Sequence, residues 1–296
     1  MRILYRWLDI LKLRICKFKK HLIRKIKQNK NKTEIKKEKI HIMINNKEKE
    51  KYLNENVEES NFLKNYNPDK YQKPSVTVDM LIFRLVNDSV DVLLIKRKKP
   101  PYKEFWAFPG GFVNIDESLE DAAKRELLEE TNVKDVYLEQ LYTFGDVERD
   151  PRMRVISVSY MALLNDNDIT KFNEKAGDDA KELQWFNINE LLNGIEDSSI
   201  KLAFDHEKIF KLAIERLRGK IDYTDIAFQL LPEEFSMLEL QNVYEQILNK
   251  KLYTPNFRRN MAKLVEETGN FEQRMNISNK PTRKIKLFKY SNNSNI

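Results

Sequence analysis

The sequence predicts an α/β domain followed by a small domain of helices and a strand hairpin. Between residues 75 and 187, runs rich in Val, Ile and Phe with alternating polarity surround one amphipathic helix. After residue 200 the apolar residues recur at helical spacing, and two short, closely spaced helices follow. A basic C-terminal stretch with two further strand-like runs completes the pattern.

The element boundaries follow from local signals. A turn at Asn87-Asp88-Ser89 separates the first two strands, and Arg218-Gly219 ends a helix that starts near residue 202. Strands are expected at 75–86, 90–97, 136–144, 155–164 and 181–187, and helices at 119–131, 188–192 and 202–217. Strands that alternate with helices are typical of an α/β fold.

The composition is that of an ordinary globular protein. At 296 residues, 41% of them hydrophobic, the chain is long enough for two small domains with packed cores. The single cysteine, Cys16, excludes an internal disulfide and a cysteine-based metal cluster, and it fits a cytoplasmic location. The three histidines are scattered, and His206 is interpreted as a structural helix residue rather than a catalytic one.

Both ends of the chain are strongly basic. Residues 1–50 hold 17 Lys and Arg against 5 Asp and Glu, and residues 250–296 hold 11 against 3, which suggests a polyanionic partner. Residues 1–28 alternate apolar and basic residues at helical spacing, a pattern that allows contact with an anionic membrane surface. The favoured alternative is an extension without that role, or translation from Met43. Residues 29–70 have the composition of a flexible linker.

The stretch from 111 to 133 carries the clearest chemical pattern. Glu126, Glu129 and Glu130 fall at i, i+3 and i+4, so a helix places them on one face, where each pair repels by roughly 0.2–0.5 kcal/mol. A divalent cation such as Mg²⁺ would reverse that repulsion, because it takes oxygen ligands. Arg125 can brace Glu126 or Glu129. A solvated acidic face is the alternative, but an adjacent apolar stripe favours a partly enclosed site: Leu119, Ala123 and Leu127.

This stretch resembles the motif of the Nudix hydrolases. The motif reads Gly, five residues, Glu, seven residues, Arg-Glu-apolar-x-Glu-Glu-x-Gly-apolar. Matching residues here are Gly111, Glu117, Arg125, Glu126, Leu127, Glu129, Glu130 and Val133. The sequence departs at Asn132, where the family has Gly, but Asn also tolerates the left-handed conformation that ends a helix. The resemblance implies an α/β/α sandwich with a mixed sheet.

The resemblance also implies the chemistry of the site. Mg²⁺ or Mn²⁺ would be held by Glu126, Glu129 and Glu130, with the backbone of Gly111 close to the metal. One carboxylate would activate water, which would cleave the diphosphate of ADP-ribose or a related nucleoside diphosphate derivative. The implied catalytic residues are Glu117, Arg125, Glu129 and Glu130.

Candidates for substrate binding lie outside the motif. Arg97, Arg149 and Arg152 are expected in loops, where they would clamp phosphate through charge-assisted bonds or serve as ordinary surface charges. Trp106 would stack on a base or, more in keeping with its type, pack in the core.

The C-terminal part has the layout of a winged helix-turn-helix. A capping box from Ser236 to Glu239 starts a helix that reaches residue 248, and Thr254-Pro255 starts a second, basic helix. Residues 265–273 and 284–289 would pair as a basic wing. Two packed helices with a solvated basic face are the alternative. The candidate DNA-binding residues are Asn256, Arg258, Arg259 and Lys263.

This part resembles the winged helix of the NrtR-type regulators, which join it to a Nudix domain. The resemblance rests on 230–236, on Leu240-Gln241-x-x-Tyr244-Glu245 and on 256–259. The predicted domains are an N-terminal extension (1–70), a Nudix domain (71–200), a connecting helix (201–225) and a winged helix (226–290). The complete carboxylate set favours a hydrolase with an added DNA-binding role. The alternative is a regulator that senses ADP-ribose and binds double-stranded DNA as a homodimer.

Overall fold

The computed structural model describes residues 47–48, 50–52, 56–165, 168, 180–273 and 284–291, and the chain divides into two units, 1–72 and 73–296. The first unit contains helix α1 (Val57–Asn65), where the Asn56 side chain accepts a hydrogen bond from the Glu59 amide at 3.3 Å. Part of the stretch predicted to be a flexible linker is therefore helical. The proposed membrane contact of 1–28 lies outside the described residues. Among the described helices, none has the length and apolar character needed to cross a bilayer.

The second unit is built on a seven-stranded mixed sheet. Its strands β1 to β7 are Ser75–Val86, Ser89–Arg97, Trp106–Ala107, Gly110–Phe112, Tyr137–Phe144, Val155–Leu164 and Ala180–Asn187. Their order is β3-β2-β1-β6-β5, with β4 paired to β1 and β7 to β2. β1 and β6 run parallel, and the other pairs are antiparallel. The five strands predicted from the sequence are confirmed to within one residue at each end, whereas the two short strands β3 and β4 were not predicted.

Helices cover both faces of this sheet, which confirms the predicted α/β/α sandwich. α2 (Leu119–Thr131) packs on one face through Ala122, Ala123 and Leu127. α3 (Ile188–Glu196) and α4 (His206–Lys220) pack on the other face. Leu119 is 37% exposed, so Ala122 takes its place in the apolar stripe that the sequence predicted.

The winged helix follows α4. A 3₁₀ helix (Ile226–Leu230) leads to α5 (Met237–Leu248) and α6 (Thr254–Met261), and β8 (Val265–Glu272) pairs antiparallel with β9 (Ile285–Tyr290). The predicted capping box is present: the Ser236 hydroxyl accepts from the Glu239 amide at 3.2 Å, and the Glu239 carboxylate accepts from the Ser236 amide at 2.7 Å. These bonds satisfy amides that a helix start leaves without partners.

The wing strands do not have the predicted excess of positive charge. Lys289 pairs with Glu266 at 2.8 Å, and Lys286 pairs with Glu267 at 2.9 Å. The prediction of a basic wing is therefore wrong for the described strands, because their lysines are neutralised across the hairpin. Of the four basic residues between the strands, Arg274, Lys280 and Arg283 lie outside the described residues, whereas Lys284 is described and lies 6.0 Å from the Phe271 ring centroid.

One hydrophobic core runs from the sheet into the winged helix. Buried side chains of β1 and β2 belong to the same cluster as those of α3, α4, α5 and α6. Polar contacts reinforce this junction, since Asn189 Nδ2 donates to the Gln246 carbonyl at 2.9 Å. The winged helix is therefore packed directly against the α/β domain.

Candidate functional site

The turn from β4 into α2 brings backbone very close to the acidic helix. A Cβ atom on Gly111 would lie 2.3 Å from Glu126 Oε1, and one on Gly110 would lie 2.2 Å from the Val78 carbonyl oxygen. Neither position has room for a side chain. Gly111 therefore allows the Glu126 carboxylate to lie against the main chain of β4, and Gly110 allows β4 to approach the main chain of β1.

Arg125 lies at the centre of the carboxylate cluster. Its Nε and Nη2 donate to Glu117 at 3.1 and 2.8 Å, and its Nη1 donates to Glu126 at 2.6 Å and to Glu129 at 3.3 Å. Nη2 also donates to the Phe112 carbonyl at 3.1 Å, which ties α2 to β4. The predicted bracing of Glu126 and Glu129 is thus present, and the additional fork to Glu117 spans eight residues of sequence.

The carboxylates of this cluster differ in their proton affinity. The hydrogen bond from Arg125 and that from the Asn114 amide lower the pKa of Glu117 to about 2. Burial raises the pKa of Glu126, against the attraction of Arg125. Burial, together with the negative charges of Glu126 and Glu129, raises the pKa of Glu130 to about 7.

The acidic cluster has the ligand chemistry that suits a hard divalent cation. Glu130 Oε2 is buried and has no hydrogen-bond partner among the described residues, although a buried carboxylate oxygen is normally paired. Oxygen ligands of this kind are what Mg²⁺ and Mn²⁺ take. As they stand, no three His, Cys, Asp or Glu side chains in the described ranges are gathered closely enough to hold a metal. Arg125, which occupies oxygens of Glu126 and Glu129, would have to release them.

A cavity of about 170 Å³ opens beside this cluster. Three of the four predicted substrate-binding residues line it, namely Arg97, Arg149 and Arg152, and Gly111 lies in its wall. Trp106 is not among the residues that line it. Its ring packs edge to face on Phe186 with centroids 4.9 Å apart, so the alternative of a core role describes it better.

The three arginines are held in different ways. Arg149 is 8% exposed and is committed to carboxylates: Nη2 lies 2.6 Å from Asp205 and 3.3 Å from Asp79. Arg97 Nε donates to the Pro101 carbonyl at 2.9 Å, and its guanidinium lies 4.9 Å from the Phe204 ring centroid. Arg152 pairs with Asp150 at 2.7 Å. Arg149 lies in a loop, as predicted, but it is buried in the floor of the cavity rather than exposed, and the loop prediction is wrong for Arg97, which is the last residue of β2.

Residues that the sequence did not single out complete the floor. Asp79 on β1 pairs with Arg149 and accepts a hydrogen bond from the Ser157 hydroxyl. His206 Nδ1 accepts from the Phe108 amide at 2.9 Å, and burial lowers the pKa of this histidine. The structural interpretation of His206 fits this contact, but its ring also lines the cavity. These partners lie 56 to 98 residues apart, and no local pattern signals them.

The predicted DNA-binding residues share an exposed surface on and just after α6. Asn256, Arg258, Arg259 and Lys263 are all exposed, whereas Phe257 is 7% exposed and faces the core. Arg259 Nη2 contacts Asn256 at 3.4 Å. The helix thus presents a polar, basic face and is anchored by its apolar one.

Comparison with known proteins shows the family. The NUDIX domain family matches residues 74–212, and the NrtR DNA-binding winged helix domain family matches residues 227–287. The ADPR responsive transcriptional repressor NtrR of Acinetobacter baylyi is 38% identical over 214 residues, which are 71% of this chain and 82% of that protein. The chain belongs to the NrtR family.

Other relatives of this NrtR-family chain cover one or both domains. The crystal structure of Shewanella oneidensis NrtR complexed with a 27mer DNA has 32% sequence identity and a TM-score of 0.58, and the match covers 73% of this chain and 93% of that one. The ADP-ribose pyrophosphatase of Methanocaldococcus jannaschii is 41% identical over 141 residues, 48% of this chain and 73% of that protein. The second match is restricted to about half of the chain.

The one departure of this NrtR-family chain from the Nudix motif is accommodated. Asn132 adopts a left-handed conformation with φ of 58° and ψ of 21°, and its amide donates to the Leu128 carbonyl at 2.8 Å. Asn, which enters this region more readily than most residues, ends α2 as Gly would. The carboxylates of α2 are therefore carried on a helix that ends normally.

Proposed function

We propose that this chain is a transcription regulator that binds DNA through its winged helix and senses ADP-ribose, or a related nucleoside diphosphate derivative, in its Nudix domain. The observation that carries the proposal is the exposed basic face of α6, held on a core that continues into the domain containing the arginine-lined cavity. The names of the Acinetobacter and Shewanella relatives support both halves of the proposal. Such a regulator is expected in the cytoplasm.

On the DNA side, α6 would enter a major groove. Arg258, Arg259 and Lys263 would contact phosphates or base edges, and Asn256 has the amide that suits an adenine edge. A homodimer would present two such helices to half-sites about one helical turn apart. Because phosphate contacts release counterions, the affinity would fall steeply with salt.

On the ligand side, the cavity combines cationic and aromatic groups. Arg97 and Arg152 would bind the diphosphate through charge-assisted bonds, while Arg149 would hold the floor in place. Phe204 lies beside both outer guanidiniums, with centroid distances of 4.9 Å to Arg97 and 5.8 Å to Arg152. This arrangement suits an anionic ligand with a planar or apolar part.

The test is binding to labelled double-stranded DNA from upstream of the gene. We expect salt-dependent, sequence-selective binding, and we expect Arg258→Ala with Arg259→Ala to weaken it at least tenfold and to reduce the slope of log affinity against log salt by about 2. Arg154→Ala, an exposed arginine of the Nudix domain, is the matched control. Equally strong binding to unrelated DNA at physiological salt would contradict the proposed regulator function.

The carboxylate cluster favours a second function, hydrolysis. Glu126, Glu129 and Glu130 would hold Mg²⁺ or Mn²⁺, which would supply charge neutralisation at the diphosphate. Glu130, whose buried Oε2 has no hydrogen-bond partner among the described residues, would accept a proton from water. Arg125 would release Glu126 and Glu129 to the metal and keep Glu117 in position through its bonds of 3.1 and 2.8 Å. Water would add across one P–O–P bond of ADP-ribose, yielding AMP and ribose 5-phosphate.

Hydrolysis is tested by following AMP release from ADP-ribose with Mg²⁺, alongside nucleoside triphosphates and dinucleotides. Glu130→Gln keeps the shape of the side chain and removes its proton-accepting charge, so we expect at least a hundredfold loss of kcat. Glu120→Gln on the same helix, where Glu120 pairs with Lys124, is the control. A Glu130→Gln protein as active as the wild type would reject the assigned role.

A further inference from the structure

Helix α4 starts at the ligand cavity. Phe204 and His206 line the cavity, and Asp205 between them holds Arg149 through contacts of 3.0 and 2.6 Å. His206, the first residue of the helix, accepts from the Phe108 amide of the cavity wall at 2.9 Å. Anything that repositions Arg149 or the cavity wall therefore acts on the first turn of α4.

The other end of α4 contacts the winged helix through two hydrogen bonds. The Tyr244 hydroxyl on α5 donates to the carbonyl of Ile221, the residue that ends α4, at 3.0 Å. Arg218 Nε donates to the Ile247 carbonyl in the last turn of α5 at 2.9 Å. Burial raises the pKa of Tyr244 to about 12, so the hydroxyl keeps its proton at neutral pH. Both bonds satisfy helix-terminal carbonyls.

Tyr244 also contacts the DNA-binding helix. Its ring meets the Phe257 ring edge to face, with centroids 5.2 Å apart and planes at 70°. Phe257 is 7% exposed and lies in α6 between Asn256 and Arg258. A single buried side chain thus joins the end of α4 to the helix that carries the candidate DNA contacts.

We propose that α4 transmits the state of the Nudix cavity to the DNA-binding helix, and that Tyr244 is the positioning residue at the junction, assisted by Arg218. The inference rests on the proposed regulator function. A helix of 15 residues is a rod of about 22 Å, so a tilt of its first turn displaces its last turn. The Tyr244 bond and ring contact pass that displacement to α6, and the Arg218 bond passes it to the end of α5 just before the turn into α6.

The discriminating variant is Tyr244→Phe, because it removes the bond to Ile221 and keeps the ring against Phe257. The measurement is the coupling factor, the ratio of DNA dissociation constants with and without saturating ADP-ribose. In a wild-type protein with a typical coupling of about 5- to 150-fold, we expect the variant to lower the factor at least threefold. Tyr290→Phe is the matched control, since the Tyr290 hydroxyl bonds to none of the described residues while its ring packs on Phe228.

Arg218→Ala gives an independent test at the same junction. We expect it also to lower the coupling factor, whereas Arg216→Ala, whose contacts are with Leu141 and Glu139 of the Nudix sheet, leaves the factor unchanged. Linkage requires that DNA shift the affinity for ADP-ribose by the same factor, so titrations of ADP-ribose with and without DNA provide a second readout. A purely structural role would change DNA affinity equally with and without ligand.

The outcomes separate the two proposals. If wild-type protein binds DNA and responds to ADP-ribose but both junction variants keep the full coupling factor, the role of α4 is overturned and the regulator stands. If wild-type DNA binding responds neither to ADP-ribose nor to other nucleoside diphosphate derivatives, both proposals fail. A coupling factor reduced in Tyr244→Phe and Arg218→Ala, and retained in both controls, supports the assignment.

Discussion

Glu130 is a carboxylate whose ionisation depends strongly on its surroundings. Its pKa in the folded protein, about 7, lies above the ordinary value of 4.5 because of burial and the charges of Glu126 and Glu129. A group whose pKa is higher in the folded than in the unfolded protein stabilises the fold fully at pH values below its unfolded-state pKa. This stabilisation is lost as the pH rises through the folded-state pKa. The metal-free protein should therefore lose this contribution between pH 4.5 and about 7.

We expect Glu130→Gln to stabilise the metal-free protein at pH 8 by about 1 kcal/mol, after allowance for partial exposure, and to leave its stability at pH 5 nearly unchanged. Urea unfolding with a chelator at both pH values measures this, with Glu120→Gln as the control. At pH 8, Mg²⁺ should make the wild type more stable than the variant, because it stabilises the wild type alone. Metal binding favours the ionised carboxylate, which the variant lacks. The same stability difference at both pH values would contradict the assigned pKa.

Arg149 is the residue on which the cavity floor depends. It neutralises Asp79 and Asp205 in a buried position, so its removal leaves two carboxylates without a counter-charge. We expect Arg149→Met to cost about 3–5 kcal/mol of the free energy of unfolding. Arg154→Met, at an exposed residue that donates to the Asp146 carbonyl, should cost less than about 0.5 kcal/mol. Chemical denaturation compares the stabilities of the two variants. Equal, small losses would show that the ion pairs of Arg149 with Asp79 and Asp205 contribute little to stability.

At the scale of single residues, the sequence predicts site residues that are close together along the chain. It does not predict contacts between residues that are far apart along the chain. The positions of Glu126, Glu129 and Glu130 follow from helical spacing alone. The floor formed by Asp79, Arg149 and Asp205 joins residues separated by 56 and 70 positions, so no short pattern contains it. Trp106 was ambiguous for a different reason, since an indole suits both a base-stacking site and a core, and its contact with Phe186 selects the core.

Among the elements, α2 depends on how it ends. Asn132 lies at φ of 58°, where β-branched residues are strained. We expect Asn132→Gly to change the free energy of unfolding by less than about 1 kcal/mol, and Asn132→Val to destabilise by about 1–2 kcal/mol or more. Thermal unfolding provides the measurement. A Val variant as stable as the wild type would mean that the left-handed end is not required.

The other elements show where periodicity is informative. Strands β1, β2, β5, β6 and β7 were predicted within one residue, because alternation and turn residues mark their ends. Helix α1 was missed, since its residues are all unburied and give no apolar stripe. The wing strands were found, but their charge was misjudged: Glu266 lies opposite Lys289 in the register, and Glu267 forms an ion pair with Lys286 at 2.9 Å.

At the scale of the whole molecule, the Nudix domain and the winged helix share one hydrophobic core. Because Phe83 of the sheet and Leu240 of the winged helix belong to the same buried cluster, separating the domains would expose apolar surface on both. We expect one cooperative thermal transition with equal calorimetric and van't Hoff enthalpies. Two resolved transitions, or a soluble and fully folded 73–225 fragment, would contradict a shared core.

The shared core also makes the central claim testable in one experiment. That claim is that occupancy of the Nudix cavity changes the affinity of the winged helix for DNA. The measurement is fluorescence anisotropy of a labelled operator fragment titrated with the protein at fixed salt, with and without ADP-ribose. The Glu130→Gln protein, in which we expect hydrolysis to be lost, is measured alongside the wild type. We expect the DNA dissociation constant to shift at least fivefold with saturating ADP-ribose in both proteins. An unchanged dissociation constant, in a sample that calorimetry shows to have bound ADP-ribose, would contradict the claim.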